Sequence, residues 1–263
     1  MFKVTVSFYP KAHHKPEAIN AMWAQCASWY QGGVLCEPYG LSLPGKNVVH
    51  LAGLAYEKVA FTPANETAWI RKDRLELRPF LRRTPTFAWE RLLESFKVCA
   101  CPKKRELVFA PSVEPFPQGT PLACLHCGGR VPLYRFNSRT KYGHRVLLNT
   151  AKQWRWFHGM WMDSGRTEAL GWFQIADPRS DLARMARETL GEFEKRHRVR
   201  MYYEIYKHYL KGRRAPLCSN CGRSWEPVLN INHGLICRAC RLFTLEPANR
   251  DLPSWWRPLP YHR

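Results

Sequence analysis

Eight of the ten cysteines fall into close pairs, a spacing that favours metal binding over disulfides, with reduced core thiols as the competing reading. Cys218-Ser-Asn-Cys221 and Cys237-Arg-Ala-Cys240 are two CxxC pairs separated by fifteen residues. Two residues between thiolates let one tight turn present both sulfurs at about 2.3 Å from a single Zn²⁺, and a second such turn completes the tetrahedron. Gly222 follows the first pair and can take the positive φ that the turn requires. The stretch 225–235 suits the hairpin of a zinc ribbon.

A second quartet joins the CxC pair Cys99 and Cys101 to Cys124 and Cys127, which Gly128 and Gly129 follow. Its 22-residue gap is rich in proline, which leaves two alternatives open. The expected reading is one zinc shared by all four; the alternatives are that the two pairs serve separate roles or that His126 replaces one of the cysteines. A closed Cys₄ site keeps no open coordination position for water or substrate, so both quartets are expected to be structural zinc sites. Cys26 and Cys36 are left over, and Cys26 lies on an apolar helical face, where it reads as a small buried hydrophobe.

Charge is the second feature with chemical content. Lys and Arg number 41 against 21 acids, a formal +20 on 263 residues. Eight thiolates and two Zn²⁺ would contribute about −8 and +4, leaving roughly +16. Three segments concentrate the surplus at +7 each: 71–105, 128–166 and 195–214. The middle one interleaves Tyr134, Phe136, Tyr142, Trp154, Trp156, Phe157 and Trp161. Guanidinium groups grip phosphates and aromatic faces stack on unpaired bases, so RNA or single-stranded DNA is the expected partner. The competing reading makes most of these aromatics core and the basic runs a solvated face. Arg135, Arg139, Lys141, Arg145, Arg213 and Arg214, beside a knuckle or in a basic loop, are the expected phosphate contacts.

These groups need elements to position them. Residues 3–8 alternate as a strand, and after Pro16 the positions Ile19, Met22, Trp23, Cys26 and Tyr30 follow helical spacing. Residues 48–56 form a second strand. A helix is expected over 86–97 on the stripe Trp89, Leu92, Leu93 and Phe96. Pro111 to Pro121 reads as a loop, 144–158 as a helix, and Ser180 as the N-cap of a helix carrying Leu182, Met185, Ala186, Thr189 and Phe193. Val199 to Tyr209 reads as a strand.

The fold class is therefore α+β. An N-terminal α+β unit is expected at 1–85, for which a ferredoxin-like topology is one option. A helix with the first ribbon follows at 86–135, then a basic and aromatic α+β region at 136–212, the C-terminal ribbon at 213–247 and a Pro/Trp/Arg tail at 248–263. The N-terminus alternates rather than presenting a signal-like apolar run, and nowhere do eighteen apolar residues stand together. No membrane association and a cytoplasmic location, where thiols stay reduced, are expected.

The order of several motifs resembles a bacterial family of uncharacterised zinc-ribbon proteins, the domain of unknown function 2310 family, described as candidate nucleic-acid binders. The likeness covers roughly 122–244. It rests on Cys124 and Cys127 followed by Val131-Pro132-Leu133-Tyr134-Arg135, on Tyr202-Tyr203-Glu204-Ile205-Tyr206, on Cys218-Ser-Asn-Cys221-Gly222 with Trp225, and on Cys237-Arg-Ala-Cys240-Arg241-Leu242. The family usually has an acid inside the last pair and Ser-Asn after Arg-Leu, where this chain has Arg238 and Phe243-Thr244. The resemblance implies zinc ribbons and nucleic-acid binding.

Three functions follow in order: a non-enzymatic nucleic-acid-binding protein, a protein-binding adaptor or inhibitor within a larger nucleoprotein complex, and a metal-dependent nuclease. The last rests on Asn232-His233 between the final knuckles. The chain has no GxxxxGK[ST], GxSxG or HExxH motif.

Overall fold

The computed structural model describes all residues except 12–14, 46, 93–96, 102–105, 112–119, 137–142, 164, 166, 207–216, 232–233 and 246–263, and leaves out the side chains of 37, 38, 45 and 163. The chain divides into two compact units. The first comprises Met1–Val98, Glu114–Pro121 and Arg130–Leu148; the second comprises Cys99–Val113, Leu122–Gly129 and Asn149–Arg263.

The first unit begins with β1 (Phe2–Pro10), whose alternation buries Val4, Val6 and Phe8 on one face. Helix α1 (Lys15–Gln31) buries Ala18, Met22, Gln25, Cys26, Trp29 and Tyr30. Trp23, expected on that face, is 44% exposed, and Trp29 supplies the aromatic anchor instead. The strands β2 (Cys36–Gly45) and β3 (Val48–Ala55) form a hairpin. Next comes α2 (Ala68–Leu77), started by Thr67, whose hydroxyl accepts from the Ile70 N–H, and then β4 (Leu81–Arg91).

The sheet order is β2-β3-β1-β4, with every pairing antiparallel. Two β-α-β halves in this order make a ferredoxin-like unit. The core joins Val4, Val6, Phe8 and Leu51 of the sheet to Met22, Trp29, Ile70 and Leu77 of the helices.

The helix expected over 86–97 is not there. Residues up to Arg91 are strand, paired to β1 in the register Val4↔Trp89 and Val6↔Phe87. Trp89 and Leu92 happen to fall three apart, but the β-branched Thr84 and Thr86 flanking Pro85 favour extended backbone, and β1 offers a free edge. Residues 93–96, including Leu93 and Phe96 of the stripe, lie outside the described residues.

The second unit is organised on a six-stranded sheet of order β6-β5-β7-β10-β9-β8. Its strands are β5 (Glu106–Phe109), β6 (Leu122–Cys124), β7 (Arg200–Glu204), β8 (Glu226–Pro227), β9 (Gly234–Cys237) and β10 (Leu242–Leu245). The central strand β7 pairs in parallel with both β5 and β10 and is buried from Met201 to Glu204. The unit also holds α3 (Arg145–Asp163, of which 149–163 belong here), α4 (Glu168–Ala176) and α5 (Asp181–His197); α5 packs against β7 and α4 against α5. The expected N-cap is observed: Ser180 Oγ accepts from the Ala183 N–H at 3.2 Å. Leu182, Ala186 and Phe193 of the anticipated stripe are buried, with Ala183 and Leu190 completing it, while Met185 is exposed. Among the described residues, no helix is long and apolar enough to cross a membrane.

Candidate metal centres

Both cysteine quartets close in space. In each, the four sulfurs lie within 4.8 Å of one another, so either group could hold a metal ion. Within the first, Cys101 and Cys124 sulfurs are 4.0 Å apart; within the second, Cys221 and Cys237 are 3.6 Å apart. A tetrahedron with about 2.3 Å from metal to sulfur has edges of about 3.8 Å, which these separations bracket. Cys99 and Cys101 thus join Cys124 and Cys127 in one site, and His126 is not among its ligand atoms.

The turns that aim the sulfurs are built alike. At Cys124 and at Cys218 the first cysteine N–H donates five residues ahead, to Gly129 and Arg223 carbonyls at 2.9 and 2.7 Å. Each first-cysteine carbonyl accepts the N–H of the residue after the second cysteine, Gly128 or Gly222, at 2.8 Å in both. That residue must be left-handed, and Gly128 and Gly222 have φ of 69° and 71°. The third knuckle places Arg241, with φ 55°, at the equivalent position after Cys240. The sequence motif Cys240-Arg241-Leu242 gave Arg241 no role in a turn, though lining up the three knuckles exposes it as the odd member.

The strands around the turns are also alike. Cys124 ends β6 and Cys237 ends β9, so in each site a hairpin delivers one pair of ligands from its last residue. In each quartet one pair precedes a strand pair in sequence and the other begins at its last residue: Cys99 and Cys101 before β5-β6, Cys218 and Cys221 before β8-β9. Because β10 follows Cys240 directly and pairs with β7, the second ribbon continues into the same sheet as the first.

The surroundings set different electrostatics. Burial pushes the Cys99 and Cys237 thiols up to about 12, so a bound cation is what would hold them as thiolates. Cys221 is exposed, and the Arg223 backbone N–H aimed at it lowers it to about 7. Asn220 Nδ2 donates to Cys240 Sγ at 3.2 Å, and the Gly129 N–H reaches Cys127 Sγ at 3.4 Å. Such N–H···S bonds orient thiolates and stabilise their charge. Cys26, pushed up to about 12 by burial, sits in the apolar core of the first unit as expected.

The two ribbons touch. Asn230, at the β8-β9 turn, donates from Nδ2 to the His126 carbonyl at 2.5 Å, and a Cβ at Gly128 would lie 2.3 Å from the Asn230 carbonyl oxygen. Beneath this contact Glu106 accepts from Arg238, Arg200 and Tyr202 at 3.0, 3.3 and 3.1 Å. Arg238, where the resembling family carries an acid, is thus tied to Glu106 of the first hairpin and to Glu226 of the second.

The expected phosphate contacts scatter. Arg135 is clamped by Glu57 within the first unit, its Nη2 2.6 Å from a carboxylate oxygen, so a phosphate there would have to displace that partner. Arg145 is exposed at the start of α3. Arg139, Lys141, Arg213 and Arg214 lie outside the described residues, as do Tyr142, Asn232 and His233. Of the interleaved aromatics, Phe136, Trp154 and Trp161 are core, and Tyr134 bonds Glu57, whereas Trp156 is 73% exposed.

Residues 115–206 match the sequence profile of a family described as a domain of unknown function, DUF2310. The resemblance read from the motifs is borne out over that span, which includes Cys124 and Cys127 but not the C-terminal ribbon. An uncharacterised protein of Haemophilus influenzae is 25% identical over 118 residues, 43% of this chain. The chain spans 45% of that relative's length. Among solved structures, an antibiotic biosynthesis monooxygenase is similar over 36% of this chain and 100% of its own, with 12% identity and a TM-score of 0.31. A conserved protein of Methanosarcina mazei is similar over 34% of this chain and 90% of its own, with 12% identity and a TM-score of 0.30. Neither structural likeness bears on what this chain does.

Proposed function

We propose that this chain is a non-enzymatic, zinc-dependent nucleic-acid-binding protein of the cytoplasm, with RNA or single-stranded DNA as its ligand. The observation that carries the reading is the charge surplus of +20, together with where the acids go. Glu57, Glu66, Glu106, Glu194 and Glu226 each hold an arginine within the chain, and the net surplus of basic residues remains. A polyanion is the partner that such a surplus recruits.

Zinc is favoured for the quartets because four thiolates in a tetrahedron suit a soft, redox-silent ion. Four cysteines around one ion leave no open coordination position, which supports a structural role for the metal. On α3, Trp156 is 73% exposed and offers a face on which a base could stack. Arg135 drops out of the interface because Glu57 occupies it.

Fluorescence anisotropy with labelled single-stranded RNA, single-stranded DNA and duplexes tests the reading. Binding should be tighter to single strands and fall steeply as salt rises, and Trp156→Ala should cost about 1–3 kcal/mol if a base stacks there. No binding at low salt, or affinity indifferent to salt, would defeat the proposal.

A protein-binding adaptor is the second reading, and one observation favours it: Leu229 at the β8-β9 turn is 94% exposed, the kind of apolar anchor that a partner would cover. A partner retained after nuclease digestion and lost in Leu229→Asp would support this reading over the first.

A further inference from the structure

The first unit contains a cavity of about 540 Å³ bounded by α1, the end of α2 and the start of β4. Its volume suits a small molecule, for which pockets run about 300–1,000 Å³. One of its walls presents Gln25, only 1% exposed, and the amide nitrogen and oxygen of its side chain have no hydrogen-bond partner among the described residues. Gln25 stands on the buried face of α1 between Met22 and Trp29, where an apolar residue would complete the stripe. An unpaired buried amide is costly, because both its donor and its acceptor have given up water. The fold holds that group ready for something else.

The other walls say what. Trp29, Phe61 and Phe87 line the cavity as one aromatic cluster, with ring centroids of Trp29 and Phe61 5.2 Å apart and of Phe61 and Phe87 5.6 Å apart. Planar aromatic matter is what such rings pack against. The rim is cationic. Arg74 is neutralised by Glu66 at 2.8 Å and Arg83 stacks on Tyr9, but Arg78 and Arg82 are exposed and have no ion-pair partner among the described residues. Both lie on the chain that connects α2 to β4 and both border the cavity.

We propose that this cavity binds a small planar aromatic anion. Its ring lies among Trp29, Phe61 and Phe87, its donor and acceptor edge pairs with the Gln25 amide, and its carboxylate or phosphate meets Arg78 and Arg82. Heteroaromatic carboxylates and nucleoside monophosphates share this chemistry, because each combines a flat ring, a polar edge and an anionic group. The site is independent of the zinc ribbons and of the nucleic-acid reading, since all of its residues belong to the first unit.

The test uses the intact 263-residue chain, with thermal shift and calorimetric titration against a panel: purine and pyrimidine nucleoside monophosphates, the matching free nucleosides, indole and quinoline carboxylates, and the ring systems without their acid. At least one anion should bind, with its neutral counterpart at least about tenfold weaker, as expected for lost contacts to two guanidinium groups. Response to the monophosphates alone identifies a nucleotide, and response to the carboxylates alone identifies a free aromatic acid.

Gln25→Leu keeps the volume and removes the amide. Its own melting temperature should equal or exceed that of the unaltered protein, while the ligand-induced shift disappears. Arg82→Ala should fold normally and lose most of the preference for the anion. The proposal is overturned if no member of the panel binds, if Gln25→Leu lowers the melting temperature, or if ligand binding survives that substitution unchanged.

Discussion

The two cysteine quartets lie on opposite sides of β7 in one sheet and use the same knuckle, yet they sit in different surroundings. The first has Cys99 and Cys124 at 0% and 1% exposure, and its left-handed glycine is pressed against the Asn230 carbonyl. The second leaves Cys221 exposed, and nothing stands within 4 Å of a Cβ placed on Gly222. The chemistry of a knuckle is local, whereas its resistance to perturbation depends on what packs around it. Both quartets bury two of their cysteines, and they part at Cys221, which is exposed where its counterparts in the first quartet are at least half-buried.

The largest expected effect comes from removing metal altogether, since apparent binding energies at structural zinc sites in zinc-finger peptides are about 10–16 kcal/mol. A competing chelator should strip the second site first, through the exposed Cys221, by about an order of magnitude in rate. Release followed with a colorimetric zinc indicator should be biphasic in the intact protein and monophasic in Cys218→Ala/Cys221→Ala. Simultaneous release of both ions would mean that the burial difference does not separate the sites.

The two glycines sharpen the comparison. Gly222→Ala should cost about 1–2 kcal/mol for a left-handed alanine. Gly128→Ala carries the same strain and also drives a methyl into the Asn230 carbonyl, so about 3 kcal/mol or more is expected, measured by urea unfolding. Equal costs would show that the contact between the ribbons yields without resistance. Asn220→Ala, which removes the N–H···S bond to Cys240, should cost about 1 kcal/mol and speed zinc release from the second site alone.

Arg241→Gly should have the smallest effect. It relieves a left-handed non-glycine residue but gives up the ion pair with Glu194, and the two changes should cancel to within about 1 kcal/mol. A loss larger than that would assign Arg241 a holding role through Glu194, which also accepts the Met201 N–H at 2.6 Å.

Much of this comparison was legible in the sequence because it is local. Cysteine spacing announced both quartets, and Gly222 announced its turn. Short-range periodicity likewise identified β1, α1 and β3, and Ser180 marked the start of α5. What escaped was set by contacts between distant residues. The register of β4 on β1 overrode an apparent helical stripe at Trp89 and Leu92, and α2 was missed because only Ile70 and Leu77 are buried on it. The Asn230 contact with the first knuckle joins residues about a hundred positions apart, and no local pattern encodes it. Arg135 looked free for phosphate because Glu57, its partner, is 78 residues away. Gln25 carried a readable signal, a polar residue on the buried face of α1, although its meaning depends on the cavity that it faces.

Each four-cysteine group could hold one metal ion, and metal content tests that most directly. Purified protein should contain two zinc ions per chain by inductively coupled plasma mass spectrometry. Cys218→Ala/Cys221→Ala and Cys124→Ala/Cys127→Ala should each retain one. Fewer than two ions in the unaltered chain, or retention of both in either double variant, would contradict the account.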